Sequence, residues 1–478
     1  MFVIKFLFTF LVISAVISVL SVILTVTIRG EANGQEIEKD CLNAADDVGE
    51  ALFLTPYIEA GDLETARHLA LVQHPGFSWV TSYAGFLTIH KDFNSNMFFW
   101  YFRAQNDSDN APVLLWLQGG PGITSLYGLF VENGPFSVNE KLEYPPREFS
   151  WHKNHHLLYI DNPVGTGFSF TDDEEGYSKT EAEVGQNLHE ALQQFFTLFP
   201  DLRKRDFFLS GESYGGKFVP ALGYYIHQQN SNATENEVIR LKGMAIGDGL
   251  SDPINQLNYG DYLFQIGLID HNGKKLLEEY VSAARTFIQE GNYIAAFETL
   301  NSLVSGENAL CKNLTGFSEV YNYINPEETD YSEILLKLVE DVKIRRAMHV
   351  GNRTFHGLDD SNLSRLYLIN DIMKSVAPWI SELLNDYQMV FYNGQLDIIV
   401  AYPLTVNFLR KLNFTHHEEY LTAERHIWRV DEEIAGYFKK AGNLVEILVR
   451  NAGHMVPMNQ PKWALEIILY LTHGKSFT

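Results

Sequence analysis

The chain predicts an α/β fold with a mainly parallel central sheet, helices on both faces and a helical cap inserted before the last strands. Three observations lead there. Short apolar runs alternate with helical segments along most of the 478 residues, the pattern of parallel strands joined by crossover helices. The turn Gly211-Glu212-Ser213-Tyr214-Gly215 directly follows the apolar run 207–209, and its small residues let a strand and the following helix approach closely. Asp397 and His454 each stand just past a strand-like run, so Ser, Asp and His occur in that chain order, each at a strand end.

The elements follow in order. Lys5 precedes an apolar, uncharged stretch at 6–28 that ends at Arg29. Such a stretch directs a chain into the secretory pathway. A signal core takes ~7–15 residues and a spanning helix ~20, so a cleaved signal and a retained anchor both remain open. Small residues at 30–32 favour cleavage, giving a signal over 1–32 and an N-terminal extension over 33–80. Strands are predicted at 97–102, 113–117, 157–160, 207–210, 241–246, 388–392 and 445–449. Over 181–199, Val184, Leu188, Leu192, Phe195 and Phe196 recur at helical spacing. That helix leads into the strand before Ser213. The segment 262–375 breaks the alternation with helices at 274–289, 293–304 and 332–348. It is expected to cap the site, leaving 81–261 and 376–478 as the core.

An apolar fraction of 46% with 13% aromatics is ample for burial. The 60 acidic and 36 basic side chains leave a net charge of −24, which opposes nucleic-acid binding and suits an acidic compartment. Asn-x-Ser/Thr acceptors for glycosylation begin at Asn106, Asn232, Asn313, Asn352, Asn362 and Asn413, consistent with passage through the secretory pathway. Only Cys41 and Cys311 are present; they pair, or both stay as thiols. No Cys/His cluster has zinc-ligand spacing, so neither a metal nor an organic cofactor is called for. The acidic run 172–175 reads as a solvated loop, and its spacing does not match a calcium loop.

Chemistry concentrates at the strand ends. A serine on a tight strand-to-helix turn is exposed to act as a nucleophile, with His454 as its base and Asp397 orienting the imidazole. Trp116-Leu117-Gln118-Gly119-Gly120-Pro121-Gly122 follows another predicted strand, where successive glycines can turn backbone N–H groups towards an oxyanion. Phe98, Phe99 and Trp100 read as core rather than as a cofactor box. His152, His155 and His156 read as surface or supporting groups. Gly165-Thr166-Gly167 lacks the lysine of a phosphate-binding loop.

Taken with Asp161-Asn162-Pro163-Val164-Gly165-Thr166-Gly167-Phe168-Ser169, Gly247-Asp248-Gly249-Leu250-Ser251-Asp252-Pro253, Asn393-Gly394-Gln395-Leu396-Asp397 and Gly453-His454-Met455-Val456-Pro457, these motifs resemble the serine carboxypeptidases of the α/β-hydrolase fold, particularly the vitellogenic type. The likeness runs from Ser82 to the C-terminus. It implies Ser213 as nucleophile, His454 as general base and acid, Asp397 as its partner, and the N–H groups of Gly120 and Tyr214 as oxyanion hole. It also implies Trp116, Gln118, Gly119, Glu212 and Glu132 as the holders of a substrate's terminal carboxylate. Two facing carboxyls can coexist there only by sharing a proton, so Glu212 is expected to be neutral and the working range acidic.

Three departures stand out: Gln118 where Asn is commoner, Ile123 and Ile398 where cysteines are usual, and Asp248 where Asn is frequent. The expected activity is removal of C-terminal residues from peptides and proteins through an acyl-enzyme, in a secreted or lysosomal setting. No nucleic-acid partner is expected, and membrane attachment only through a retained N-terminal anchor. Two alternatives are an acyltransferase using the same site and a non-catalytic binding or protective protein, which the complete triad opposes.

Overall fold

The computed structural model describes residues 47–325, 331–356 and 363–477. The N-terminal apolar stretch, Cys41 and Asn362 lie outside them. The strands are β1 (Ser82–His90), β2 (Ser95–Phe102), β3 (Val113–Leu117), β4 (His156–Ile160), β5 (Phe207–Glu212), β6 (Leu241–Gly247), β7 (Gln388–Gly394), β8 (His426–Val430), β9 (Glu433–Ala441) and β10 (Leu444–Val449). They form one sheet in the order β1-β2-β4-β3-β5-β6-β7-β10-β9-β8. The stretch from β4 through β10 pairs in parallel. Antiparallel strands complete both margins.

Central strands read as unbroken apolar runs because both their faces are covered. β2, β3 and β5 are buried along their whole length. One face packs against the helices Glu181–Leu198 and Gly215–Asn230, through Leu188, Leu192, Phe218 and Leu222. A capping box at Thr180 and Glu183 starts the first of these helices. The other face buries Phe98, Trp100, Trp116 and Trp463. Phe99 lies in the first core, so the expected core triplet alternates between the two faces.

All seven expected strands are present, β3 with the expected bounds and the other six extended by a residue or two. β1, β8 and β9 were not anticipated. They lie at or beside the sheet's margins, where one side meets solvent and residues such as His426, Arg429 and Lys440 interrupt the apolar pattern. The expected helix at 332–348 is two, Ser332–Glu340 and Val342–Ala347. Asp341 breaks it, its side chain accepting from the N–H groups of Lys343 (2.9 Å) and Ile344 (3.0 Å) as an N-cap.

His152, His155 and His156 are not surface groups; all are buried. His155 Nδ1 bonds the Trp151 carbonyl oxygen at 2.8 Å, and His156 Nδ1 bonds the Tyr101 hydroxyl at 2.6 Å. Burial pushes their imidazoles down to about 4, 3 and 4, so they are neutral packing groups. The acidic run 172–175 is exposed, as are Asn106, Asn232, Asn313, Asn352 and Asn413. Among the described residues no helix is long and apolar enough to cross a membrane.

The helices between β6 and β7 feed two different cores. Leu277, Val281 and Leu303 pack with Ile398, Ala401 and Leu404, beside the Asp397 loop. Leu335, Leu338, Ile344 and Met348 join the core that holds Trp100.

Candidate active site

Ser213 directly follows β5 in the left-handed region, at φ 60°, a conformation few non-glycine residues adopt and one that marks strain. The flanking glycines make the turn feasible. A Cβ on Gly211 or on Gly215 would approach the Leu117 carbonyl oxygen to 2.8 Å. Ser213 N–H donates to the Gly247 carbonyl oxygen (3.0 Å), and the Ser213 carbonyl oxygen accepts from Gly216 (2.9 Å) and Leu250 (3.0 Å). The serine is thereby held between the ends of β3 and β6, facing the C-terminal edge of the sheet.

Gly119 lies against this elbow. A Cβ there would stand 2.6 Å from Ser213 Cβ, 2.6 Å from Tyr214 N and 2.7 Å from the Glu212 carbonyl oxygen. Gly120 has φ 112°, which lets the chain turn back beside Tyr214. The two backbone segments expected to form an oxyanion hole are therefore adjacent.

Asp397 and His454 meet across the ends of β7 and β10. His454 Nδ1 is 2.9 Å from Asp397 Oδ2, and both side chains are almost wholly buried. Asp397 also accepts backbone N–H groups from Ile399 (2.9 Å) and Val400 (3.2 Å). Such a donor set stabilises an ionised carboxylate. The inserted segment braces both loops: the Val320 carbonyl oxygen accepts from Ile398 (3.1 Å) and Ile399 (3.2 Å), and the Tyr321 carbonyl oxygen accepts from His454 N–H (2.8 Å).

Beside the elbow, Glu212 and Glu132 are each 1% exposed, their charges act on each other, and both Glu132 oxygens and Glu212 Oε2 meet no donor among the described residues. Two facing buried carboxyls are tolerable when they share a proton. Burial, then the Glu132 charge, hold Glu212 well above the usual carboxylate range; burial lifts Glu132 to about 7. Gln118 spans the gap that its length left open: Nε2 donates to Glu212 Oε1 at 3.1 Å, and Oε1 accepts the Trp116 indole N–H at 2.8 Å. Trp116 thus fixes which way the Gln118 amide points, and its own N–H is already engaged.

Several supporting residues had no visible role in the sequence. Asp161 accepts from the Thr124 hydroxyl (2.6 Å), Ser125 N–H (3.0 Å) and Phe168 N–H (2.9 Å). It ties the glycine-rich loop after β3 to the loop containing Gly165 and Gly167. Lys217, wholly buried one turn after Ser213, donates to the Ile372 carbonyl oxygen (3.2 Å) and sits 3.5 Å from Asp371 Oδ2. Glu181 belongs to the same buried group, and its charge acts on both Lys217 and the Tyr214 side chain. Asp161 stood at the head of a motif; the only sequence signal for Lys217 and Glu181 was charge in otherwise apolar surroundings. Asp248 was visible within a motif, and its carboxyl lies beside Asp397 and His454, their ligand atoms within 4.8 Å of one another.

A mainly parallel sheet with a serine elbow at the end of its middle strand, and an acid and a histidine on two later strand ends, defines an α/β-hydrolase. Within that class the chain belongs to the serine carboxypeptidase family, whose model it matches over residues 75–474, and its activity is that of a serine-type carboxypeptidase, a hydrolase. It is similar to venom serine carboxypeptidase of Apis mellifera, 50% identical over 455 residues covering 94% of this chain and 97% of that one. It is 52% identical to vitellogenic carboxypeptidase of Aedes aegypti over 429 residues, 89% and 90% of the two chains. A prohormone-processing carboxypeptidase from Saccharomyces cerevisiae has a related fold, with a TM-score of 0.69 at 23% identity over 85% of this chain and 96% of that one.

Proposed function

We propose that the protein removes C-terminal residues from peptides through an acyl-enzyme at acidic pH, with Ser213 as nucleophile. His454 takes the serine proton as Ser213 attacks the carbonyl carbon of the last peptide bond. The N–H groups of Gly120 and Tyr214 receive the oxyanion, and Asp397 holds the imidazole and stabilises its charge. Collapse of the tetrahedral intermediate breaks the C–N bond, and His454 returns its proton to the departing amine. Water then attacks the acyl-Ser213 ester by the same route and regenerates the hydroxyl.

The observation that carries the exopeptidase reading is the Glu132–Glu212 carboxyl pair, one of whose oxygens meets Gln118, directly beside the elbow. A proton retained on Glu212 gives a donor for the substrate's terminal carboxylate where an ionised side chain would repel it. Gln118 adds an amide donor, oriented by Trp116, and Gly119 brings the backbone close. The test is release of amino acids from a mixed library of N-blocked dipeptides, with free or amidated C-termini, across acidic and neutral pH. Preference for free C-termini at acidic pH supports the reading, and equal turnover of both forms at every pH overturns it.

The setting is secretory, with a secreted or lysosomal protein as the finer reading. It draws on the N-terminal apolar stretch, on five exposed glycosylation acceptors among the described residues and on a relative named for venom. Peptide or protein C-termini are the proposed partners, and the helices between β6 and β7 the proposed cap.

A further inference from the structure

Asp248 follows β6 directly, with no exposed surface and φ 43°. Its N–H donates to the Tyr392 carbonyl oxygen at 2.8 Å. Its Oδ1 accepts from Gly394 N–H (2.9 Å) and from Asn393 Nδ2 (3.4 Å). Its Oδ2 is buried and meets no protein donor among the described residues. A second carboxyl lies close by: Asp248, Asp397 and His454 each present an atom within 4.8 Å of the others, and all three are buried. Two buried carboxyls this close are tolerable when they share one proton. Asp397 already receives Ile399 N–H, Val400 N–H and the His454 ring across both its oxygens, so a shared proton finds its open place on the other carboxyl. Asp248 has donors on one oxygen only.

We propose that Asp248 is a positioning residue of the catalytic site: it stays protonated and donates its carboxyl O–H to Asp397, holding in place the group that orients His454. Burial, then the Asp397 charge, keep the Asp248 carboxyl well above the usual carboxylate range, in accord with that geometry. The other groups whose charges act around it are Glu212, Tyr262 and Tyr392. No cation is among them. An ionised Asp248 would set a second negative charge beside the imidazole. The neutral acid leaves the single charge of Asp397, and the hydrogen bond adds a fourth donor to it. An amide would serve the same end, donating through its NH2 and accepting Gly394 N–H through its oxygen. Asparagine also tolerates the left-handed backbone at this position.

The inference rests on the triad reading, so the test has one arm that depends on Ser213 chemistry and one that does not. Infrared difference spectra of wild type against D248N at pH 6 should show one protonated-carboxyl C=O band lost in the variant. Absence of that band overturns the proposal whatever Ser213 does. Second, the rate of Ser213 labelling by a fluorophosphonate is followed against pH in both proteins. D248N should label within threefold of wild type, with the midpoint of the acid limb moved by less than half a pH unit. Were Asp248 ionised, removing its charge beside His454 would move that limb down by about one unit or more; any shift of half a unit or more, or a rate loss above threefold at unchanged Tm, overturns the proposal. D248A lacks the donor and should label at least tenfold more slowly, a loss that D248N repairs; if D248A does not fold, D248N alone decides. Failure of the wild type to label would count against the triad itself, while the infrared band still reports on Asp248.

Discussion

Substituting Glu212 by Gln probes the feature that separates an exopeptidase from an esterase sharing the same triad. In the wild type the two carboxyls lose protons in turn. Glu132 goes first, at about 7, and Glu212 later, held higher by burial and by its neighbour's charge. Once Glu132 is ionised it competes for the Glu212 proton and repels the substrate's carboxylate. A single titration centred near 7 lowers the competent fraction about tenfold between pH 6 and 8, and kcat/KM for a free-acid dipeptide should fall by at least that much. A hydrogen bond to a charged group is worth ~1.5–3 kcal/mol, about 10- to 150-fold in kcat/KM, so its complete loss is of comparable or larger size. An amidated analogue has no charge to repel and should show no such fall; its profile should follow the need for a neutral His454. The E212Q amide still donates but cannot titrate, so the free-acid decline should shrink to less than about threefold, and an E132Q/E212Q double variant should show no decline, its profile following that of the amidated analogue. The assay is kcat/KM from pH 4.5 to 8.5 for both substrates and all three proteins. Superimposable acid and amide profiles in the wild type would refute the carboxylate clamp.

Ser213→Ala should lower kcat by about 10⁴-fold or more while leaving Tm within a degree or two, read by dipeptide turnover and thermal melting. Gly119→Ala would drive a Cβ against Ser213 Cβ and Tyr214 N at 2.6 Å; kcat should drop at least 100-fold, and turnover near the wild-type rate would show that this contact does not position the elbow. Thermal stability should peak at mildly acidic pH. Burial raises Asp161 to about 6 and Glu132 and Glu181 to about 7, so these groups keep protons that the unfolded chain releases above its ordinary carboxylate values, and their contribution is lost as pH rises through 6 to 7. His152, His155, His156 and His189, pushed down to about 4, 3, 4 and 4, contribute fully above about 6.5 and lose it as pH falls towards 4. A Tm that climbs steadily from pH 5 to 8 in a calorimetric scan would contradict this.

The parts of the fold and site legible in the sequence are those that local chemistry determines. A strand buried on both faces reads as a continuous apolar run, so β3 and the 207–209 stretch of β5 announce themselves. Gly211 and Gly215 are required because a side chain at either would strike the Leu117 carbonyl oxygen, and that requirement is written in the motif. β8 and β9 were not visible because a marginal strand need bury only part of its surface, and the alternation that results is broken by charge. The buried histidines were misplaced for a related reason: imidazole is polar in composition, and only the acceptors that surround it, such as the Trp151 carbonyl oxygen for His155, make burial tolerable.

What no local pattern carries is which strand ends become neighbours. Asp248 and Asp397 are separated by the whole inserted segment, yet β6 and β7 are adjacent in the sheet, so their terminal residues must share one small volume. The same adjacency places Glu212 at the end of β5, with β3, whose first following residue is Gln118, on its other side. The aspartate pair thus arises from strand order, and the glutamate pair from the end of β5 meeting the helical turn Gly128–Asn133 that follows β3. A parallel sheet collects the residues after its strands along one edge, and each pair of acids gathered there is tolerable only if a proton is kept between them. The inserted segment completes this arrangement, since the Val320 and Tyr321 carbonyl oxygens take the N–H groups of Ile398, Ile399 and His454. Shortening the chain around Tyr321 would therefore loosen the acid and the base together, which is why its effect should appear in kcat rather than in substrate binding alone.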